Sequence, residues 1–234
     1  PGESGPPEGE ARSASIVSVV DVTAAACPED LVRAVRAAGV RDERLLRAVR
    51  STPRAGFVPP AHVAHAYEDV PIPIAHGQVT TQPSLSATMI EGLALTGVEH
   101  VLEVGSGLGY QTALLARMAG DVVGVDLWPD LVRAARRNLA RQGIRNAEVR
   151  VGDGGQGVRE HAPYDAVIVS AAFPTVPAPL VEQLRPGGRL VQPIGTGGRE
   201  EVVLFERTVI GLEPRQVLTL ASFVRLHGRF GYPS

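Results

Sequence analysis

The feature that most constrains the fold is an apolar segment that runs directly into three closely spaced glycines. Residues 100–110 read HVLEVGSGLGY, with Gly105, Gly107 and Gly109 at alternate positions. The apolar half is typical of a buried strand. Glycine at every second position lets the backbone turn tightly and lets a ligand approach without meeting a Cβ atom. A strand, a glycine turn and a helix together predict an α/β protein with a ligand at the end of this strand.

The rest of the chain continues this alternation of strands and helices. Apolar runs of strand length are predicted as strands, at 100–104, 122–126, 147–151, 164–170 and 189–194. Segments of helical periodicity lie between or before them, at 28–50 with a break at Gly39, and at 83–95, 109–118, 129–142 and 176–184. Two further strands, 202–210 and 216–226, follow each other directly and indicate an antiparallel edge. The sequence therefore predicts a Rossmann-like, doubly wound, mostly parallel sheet of about seven strands, preceded by N-terminal helices.

Three parts of the chain differ in composition. Residues 1–27 are rich in Pro, Gly, Glu and Ser at their start and are expected to be flexible, although 16–22 is β-prone. Residues 28–97 are expected to supply helices and an acceptor-site loop. Residues 98–234 are expected to form the ligand-binding core with its C-terminal strands.

Composition narrows the class of partner and the compartment. The net charge of −2 over 234 residues makes nucleic acid an unlikely main partner, because duplex binders usually carry a basic surplus. A single cysteine, Cys27, leaves no internal disulfide and favours a reducing compartment. No apolar run approaches the roughly 20 residues that span a bilayer, and no signal-peptide pattern is recognised. We therefore expect a cytoplasmic protein that does not cross membranes, and its oligomeric state stays open. No metal site is expected, because the spaced pair His62 and His65 has no third ligand nearby.

Acidic residues follow the next two strands and define the expected ligand. Asp126 ends the second strand and can accept hydrogen bonds from ribose hydroxyls, although an Asp at this place can also cap the following helix. Asp153 and Gly154 end the third strand, where a carboxylate can accept from the exocyclic amine of adenine. The pattern E-x-G-x-G-x-G from Glu103 differs from the G-x-G-x-x-G that binds a pyrophosphate. It suits S-adenosylmethionine, and Trp128 either covers the adenine or simply packs.

Several longer stretches resemble protein-L-isoaspartate O-methyltransferases. The resemblance runs from about residue 29 to about 226, and its matching stretches are AYED at 66–69, PIPI at 71–74, GQVTTQP at 77–83, VLEVGSGLGYQ at 101–111, VGDG at 151–154, PYDAVIVSAA at 163–172 and QLRPGGRLV at 183–191. The glycine turn is shared with many methyltransferases, whereas 66–83 and 163–191 are more specific to this family.

The resemblance implies an enzyme that transfers a methyl group from S-adenosylmethionine to the carboxylate of an L-isoaspartyl residue in a protein or peptide. S-adenosylhomocysteine is then the second product, and the ester closes to a succinimide. It implies cofactor contacts from the first three strand ends, at Glu103, Gly105, Ser106, Gly107, Gly109, Asp126, Leu127, Asp153 and Gly154.

The acceptor carboxylate is implied to bind on the loop before the third helical segment. Thr81 matches a family position usually held by Ser, with Thr80 as its neighbour and competitor, and an ordinary helix cap is the alternative for Thr81. Other residues implied to contact the substrate are Tyr67, Asp69, Gln78, Val224 and Arg225. Tyr67 and Asp69 close over the cofactor or peptide, or form a hydrogen-bonded loop corner.

Two departures from the family pattern leave an alternative open. Arg225 stands where the family has Pro in its final strand, and residues 1–27 have no clear match. These differences permit a pathway-specific enzyme that esterifies one Asp of a dedicated peptide to give an aspartimide. A third hypothesis, a binding protein that has kept the fold without activity, conflicts with the intact cofactor residues.

Overall fold

The computed structural model describes Gly2, residues 27–196 and residues 198–233. The predictions of a flexible start and of a β-prone run at 16–22 lie outside these residues. Cys27, the last residue of the segment expected to be flexible, directly precedes the first helix, and its backbone N–H donates to the side chain of Asp30 at 2.7 Å.

Seven strands of the described residues form one sheet. These strands are β3 (His100–Val104), β4 (Asp121–Asp126), β5 (Ala147–Val151), β6 (Tyr164–Val169), β7 (Leu184–Ile194), β8 (Glu200–Arg207) and β9 (Leu212–Ala221), and a separate ribbon joins β1 (Ile72–Pro73) to β2 (Val79–Thr80). Their order is β5-β4-β3-β6-β7-β8-β9, parallel from β5 to β7 and antiparallel at β8 and β9. The predicted Rossmann-like sheet with an antiparallel edge is confirmed.

Six α-helices accompany the sheet in the described residues. They are α1 (Pro28–Ala37), α2 (Glu43–Ser51), α3 (Pro83–Gly92), α4 (Tyr110–Ala116), α5 (Pro129–Arg141) and α6 (Ala178–Gln183). Apolar side chains of α1, α2 and α3 share one buried cluster with the sheet; Leu31, Leu45 and Ile90 lie in it together with Val101 and Val191. The N-terminal helices and the sheet therefore stabilise each other. None of the helices described is long and apolar enough to cross a membrane.

The largest local difference from the sequence-based prediction lies at the start of β7. The run Pro186-Gly187-Gly188 predicted a break between a helix and a strand that begins at residue 189, but the strand begins at Leu184. Tyr164 pairs with Leu184 and Ala166 with Arg189, so six residues of β7 stand opposite three of β6. The extra residues bulge out of the ladder, which is how a strand accommodates a proline that cannot donate.

The end of the chain also differs from the prediction. The strand predicted at 216–226 ends at Ala221, and residues 222–226 leave the sheet. A buried carboxylate helps to hold this departure, since Glu200 accepts a hydrogen bond from the backbone N–H of Phe223 at 3.0 Å. The chain then runs beside residues 171–173, where Ala172 pairs with Arg225. This path brings Val224 and Arg225 to the carboxyl ends of the strands.

Candidate active site

One open cavity lies at the carboxyl ends of β3, β4 and β6, where the strand order reverses, the usual ligand position in such sheets. It encloses about 930 Å³ including its solvent-filled mouth. Three separate parts of the chain line it. The glycine turn and strand ends contribute Gly105, Ser106, Gly107, Asp126, Leu127, Trp128 and Gly154; the loop before α3 contributes Gln78, Thr80 and Thr81; and the C-terminal segment contributes Val224 and Arg225.

The glycine turn needs its glycines for conformation and for space. Gly105, Gly107 and Gly109 have φ values of 86°, 52° and 92°, in the region that favours glycine. A Cβ atom on Gly109 would lie 3.3 Å from the Cβ of Ala135 in α5, so this glycine permits close helix packing and does not itself line the cavity. Gly154 follows β5, and a Cβ atom on it would collide with the side chain of Val104.

Asp126 organises the turn and still has capacity to bind a ligand. Its carboxylate accepts hydrogen bonds from the backbone N–H of Gly107 at 2.8 Å and of Trp128 at 3.1 Å. The side chain is nearly buried, and this burial raises its pKa above the ordinary value. Each carboxylate oxygen has two acceptor sites, so one remains on each for a hydroxyl of the ligand.

Glu103 lies beneath the turn and not in the cavity wall. It is fully buried, and it accepts hydrogen bonds from Gln111 Nε2 and Thr112 Oγ1. Burial raises the pKa of this carboxyl to about 7. Gln111 also donates to Ser170 Oγ at 2.9 Å, and both Gln111 and Ser170 line the cavity. Glu103 therefore acts on the cavity through Gln111, which differs from the direct contact expected from the sequence.

Asp153 also has a different position from the one expected. Its carboxylate accepts from the backbone N–H groups of Gly155 at 3.0 Å and Arg229 at 2.7 Å, and from Gln156 Nε2 at 3.0 Å. It therefore caps a short 3-10 turn and ties the C-terminal loop to the sheet. Asp153 is absent from the cavity lining, whereas its neighbour Gly154 is part of it.

The two threonines of the loop before α3, residues 66–82 and here called the acceptor loop, have different environments. The hydroxyl oxygen of Thr80 accepts from Arg54 Nη2 at 2.9 Å and from the backbone N–H of Ile72 at 3.1 Å. Thr81 lines the same cavity and makes no side-chain hydrogen bond with any described residue. The helix-capping alternative for Thr81 is not observed, because Asp69 caps α3. Of the two hydroxyls, that of Thr81 is available to a ligand.

Asp69 and Tyr67 stand behind the loop. The carboxylate of Asp69 accepts from the backbone N–H of Ser84 at 2.8 Å and from Gln82 Nε2 at 2.9 Å, and Tyr67 packs against the main core cluster. Neither residue lines the cavity. The geometry corresponds to the hydrogen-bonded loop corner and not to residues that close over a ligand.

A residue that sequence reasoning missed holds the acceptor loop in place. Arg54 is completely buried, and burial lowers the pKa of its guanidinium from the ordinary value. Nη1 donates to the carbonyls of Ala66 at 3.3 Å and Glu68 at 3.0 Å; Nη2 donates to the carbonyl of Val70 at 2.9 Å and to Thr80. Because any residue can supply a backbone carbonyl, the sequence has no pattern that would predict this role of Arg54.

The acceptor loop also contacts the cofactor side of the cavity. His76, which has a left-handed backbone at φ 61°, stacks on Trp128 with ring centroids 4.0 Å apart and an interplanar angle of 2°. His76 Nε2 lies 2.8 Å from the carboxylate of Asp130, and this hydrogen bond lowers the pKa of Asp130. Trp128 therefore lines the cavity and also packs against His76 of the loop.

The polar atoms of the cavity wall include several without a partner. Ser106 Oγ, Tyr110 OH and Gln111 Oε1 are buried and make no hydrogen bond with any described residue. Buried polar groups are normally satisfied, so these atoms point to a polar ligand beside the glycine turn. Together with the open acceptor sites of Asp126, this donor and acceptor set fits a nucleoside joined to an amino-acid chain.

Comparisons with known proteins agree with this geometry. The family model of protein-L-isoaspartate(D-aspartate) O-methyltransferase matches residues 26–230. The protein-L-isoaspartate O-methyltransferase of Anaeromyxobacter dehalogenans is 49% identical over 190 residues, which are 80% of this chain and 91% of that protein. The enzyme of the same name from Methanoculleus marisnigri is 46% identical over 198 residues, covering 85% and 90% of the two chains.

Solved structures show the same relationship. A protein-L-isoaspartate O-methyltransferase aligns with a TM-score of 0.75 and 30% identity over 87% of this chain and 67% of its own. A Plasmodium falciparum protein described as the same enzyme, in complex with S-adenosyl-L-homocysteine, shares the fold with a TM-score of 0.71 at 22% identity, over 86% and 98% of the two chains. By its family match and by these identities over most of its length, the chain belongs to the protein-L-isoaspartate(D-aspartate) O-methyltransferase family.

Proposed function

We propose that this protein is a carboxyl methyltransferase that esterifies the α-carboxylate of L-isoaspartyl residues in proteins and peptides, with S-adenosylmethionine as methyl donor. The observation that carries the proposal is a single cavity with the glycine turn and Asp126 on one side and the free hydroxyl of Thr81 on the other. The relatives above carry the name of this general enzyme, which favours it over a pathway-specific enzyme for one peptide.

The residues around the glycine turn would hold the cofactor. Asp126 would accept hydrogen bonds from the ribose hydroxyls, and Trp128 and Leu127 would cover the base. Ser106 and Gln111, whose buried oxygens lack partners, would bind the polar groups nearer the turn. Gly105 and Gly154 would present backbone to the cofactor, because both line the cavity and have no side chain. When bound, the cofactor supplies a methyl group on a sulfonium, which is a good leaving group.

The acceptor side needs to position a carboxylate and not to activate it. A carboxylate is already ionised and nucleophilic at neutral pH, so the reaction requires no general base. What the protein adds is alignment with the methyl group and a fixed donor that lowers the mobility of the acceptor. Thr81 would donate its hydroxyl hydrogen to the carboxylate oxygen that does not attack. Arg54 and Thr80 would keep this loop in position from behind.

The methyl ester that results closes to a succinimide without further help from the protein, as the family's activity implies. Hydrolysis of the succinimide returns part of the residue to ordinary aspartate. Damaged proteins are then the expected partners, and nucleic acid has no place in this reaction. The single cysteine supports a reducing compartment such as the cytoplasm.

The test is methyl transfer to a synthetic isoaspartyl peptide, compared with the same peptide containing aspartate. We expect transfer to the isoaspartyl peptide only. Thr81→Val keeps the shape and removes the hydroxyl, so it should lower kcat/KM about 10- to 100-fold, the range expected for losing one hydrogen bond to a charged group. The Kd for S-adenosylhomocysteine should stay within about twofold, and Thr81→Ser should retain activity.

Two results would contradict the proposal. Absence of methyl transfer to the isoaspartyl peptide by an enzyme that binds S-adenosylhomocysteine would reject the function. Equal loss of cofactor affinity and turnover in Thr81→Val would reject the assignment of Thr81 to the acceptor. Thr80→Val removes the acceptor of Arg54, so it should lower the free energy of unfolding, whereas Thr81→Val should leave the free energy of unfolding unchanged.

A further inference from the structure

Arg225 is a cation at the mouth of the cavity that no other described residue neutralises. Its side chain is exposed, lines the cavity beside Val224, and forms no ion pair or hydrogen bond with the residues that the structure describes. Guanidinium groups usually recruit a carboxylate, because each presents five N–H donors in a planar fork. Here those donors face solvent at the entrance.

The guanidinium is held in place although it has no acid partner. Its Cζ atom lies 4.9 Å from the ring centroid of Tyr232, a cation–π geometry. Tyr232 meets Phe173 edge-on, with ring centroids 5.3 Å apart. The backbone N–H of Tyr232 donates to the carbonyl of Leu226 at 2.7 Å, which folds the end of the chain back onto this segment. A positioned cation loses less entropy when it binds than a free one.

The charges around the cavity indicate what this cation would meet. Among the described lining residues, Asp126 is the acidic one and Arg225 is the permanently charged basic one, and the imidazole of His227 also lines the cavity. Asp126 belongs to the cofactor side, where it accepts from the glycine turn, and the acceptor side is lined by hydroxyls, the amide of Gln78 and apolar groups. The acceptor side therefore has a positive potential from one residue, which favours a peptide that brings an additional negative charge.

The reacting carboxylate itself is a poor partner for this arginine. A bidentate guanidinium stabilises the negative charge on both carboxylate oxygens, and this lowers the nucleophilicity of the oxygen that must attack the methyl group. Thr81 gives that carboxylate a single neutral donor and leaves an oxygen free. A neighbouring side chain of the peptide, which does not react, can accept the full bidentate contact without cost to the chemistry.

We propose that Arg225, held by Tyr232, selects isoaspartyl peptides that carry an acidic side chain next to the damaged residue. This inference rests on the proposed methyltransferase function and adds a preference within its substrates. Arg225 acts here as a specificity-determining residue that touches the peptide and takes no part in methyl transfer.

The test is a charge-exchange experiment on the enzyme with all 234 residues. Isoaspartyl peptides carry Glu, Gln or Lys at each of the two positions on either side of the isoaspartyl residue, one position at a time. For the wild type we expect kcat/KM to be about three- to tenfold higher with Glu than with Lys at one or more of these positions. Arg225→Glu should reverse the order at those positions, and Arg225→Gln should abolish the difference between the Glu and Lys peptides.

Arg229→Glu is the matched control. Arg229 is also an exposed arginine, stacked on Phe230 at 5.6 Å and four residues away, but it does not line the cavity. This variant has the same net charge as Arg225→Glu and should keep the wild-type preference for Glu peptides. The preference should also decline as salt is raised, because an exposed pair is screened.

Each other outcome overturns the inference. An unchanged order of Glu and Lys peptides in Arg225→Glu would show that Arg225 does not read the neighbouring charge. An equal fall in kcat/KM on all peptides with Arg225→Gln would place the arginine on the reacting carboxylate. Methylation of the peptides by the wild type without any charge preference would reject the inference while leaving the function intact; absence of methylation would reject the function itself. Binding of S-adenosylhomocysteine by each variant shows that it is folded.

Discussion

The buried carboxyl of Glu103 makes the stability of the protein depend on pH. It is fully enclosed beneath the glycine turn, where burial raises its pKa to about 7 from an ordinary value of 4.5. A carboxyl whose pKa is raised by folding binds its proton more tightly in the folded state. Its contribution to stability is therefore complete below about pH 4.5 and is lost as the pH rises through 7.

The size of the effect follows from the difference in pKa. One pKa unit corresponds to about 1.4 kcal/mol, so the free energy of unfolding should fall by up to about 3 kcal/mol between pH 4.5 and pH 8 from this group. Glu103→Gln removes the titration and keeps the side chain's length. Its amide oxygen can accept from Gln111, and its amide NH₂ can donate to Thr112, whose hydroxyl can turn to accept.

The assay is chemical unfolding of the cofactor-free protein at several pH values from 5 to 8, for the wild type and the variant. The difference between the two proteins should change by about 2 to 3 kcal/mol in favour of the glutamine as the pH rises. All other titrating groups are common to both proteins and largely cancel. Two parallel curves would refute the reasoning, because they would show that Glu103 is ionised in the folded state throughout this range.

Two other predictions concern the two sides of the cavity. Asp126→Asn should raise the Kd for S-adenosylhomocysteine about 10- to 100-fold through loss of charged hydrogen bonds, measured by calorimetry; an unchanged Kd would contradict its role at the ribose. Arg54→Lys cannot reach the carbonyls of Val70 and Glu68 together, so KM for an isoaspartyl peptide should rise and the free energy of unfolding should fall by about 2 to 4 kcal/mol, while the Kd for S-adenosylhomocysteine stays within about threefold. Unchanged peptide kinetics in this variant would refute a positioning role for Arg54.

The sequence predicts best those strands and helices whose pattern of apolar and polar side chains is clear. The apolar runs at β3 and β4 and the helix after the glycine turn appear within a few residues of their expected bounds. The bulge at Pro186 was not predictable, because Pro-Gly-Gly is equally typical of a chain break, and only pairing with β6 keeps it inside a strand.

The site shows the same division. The glycine spacing predicts that Gly105 and Gly107 lie beside the ligand, and the family resemblance predicts Thr81; all three line the cavity. Acidic residues were harder to assign, because Asp69 and Asp153 have the residue type of a ligand contact and the position of a cap. Sequence alone does not say whether a carboxylate faces the cavity or a nearby N–H. The role of Arg54 cannot be recognised from the sequence, because its hydrogen-bond partners are mostly main-chain atoms.

The way in which Arg54 binds the loop has a consequence for how the family can diversify. Three of its four hydrogen bonds end on carbonyl oxygens of residues 66–70, which every amino acid possesses. Side chains in this stretch can therefore be exchanged without removing the bonds that set the loop's path. Evolution can change what the loop presents to a substrate while its course is inherited unchanged, so new preferences can arise by substitution alone, without rebuilding the backbone.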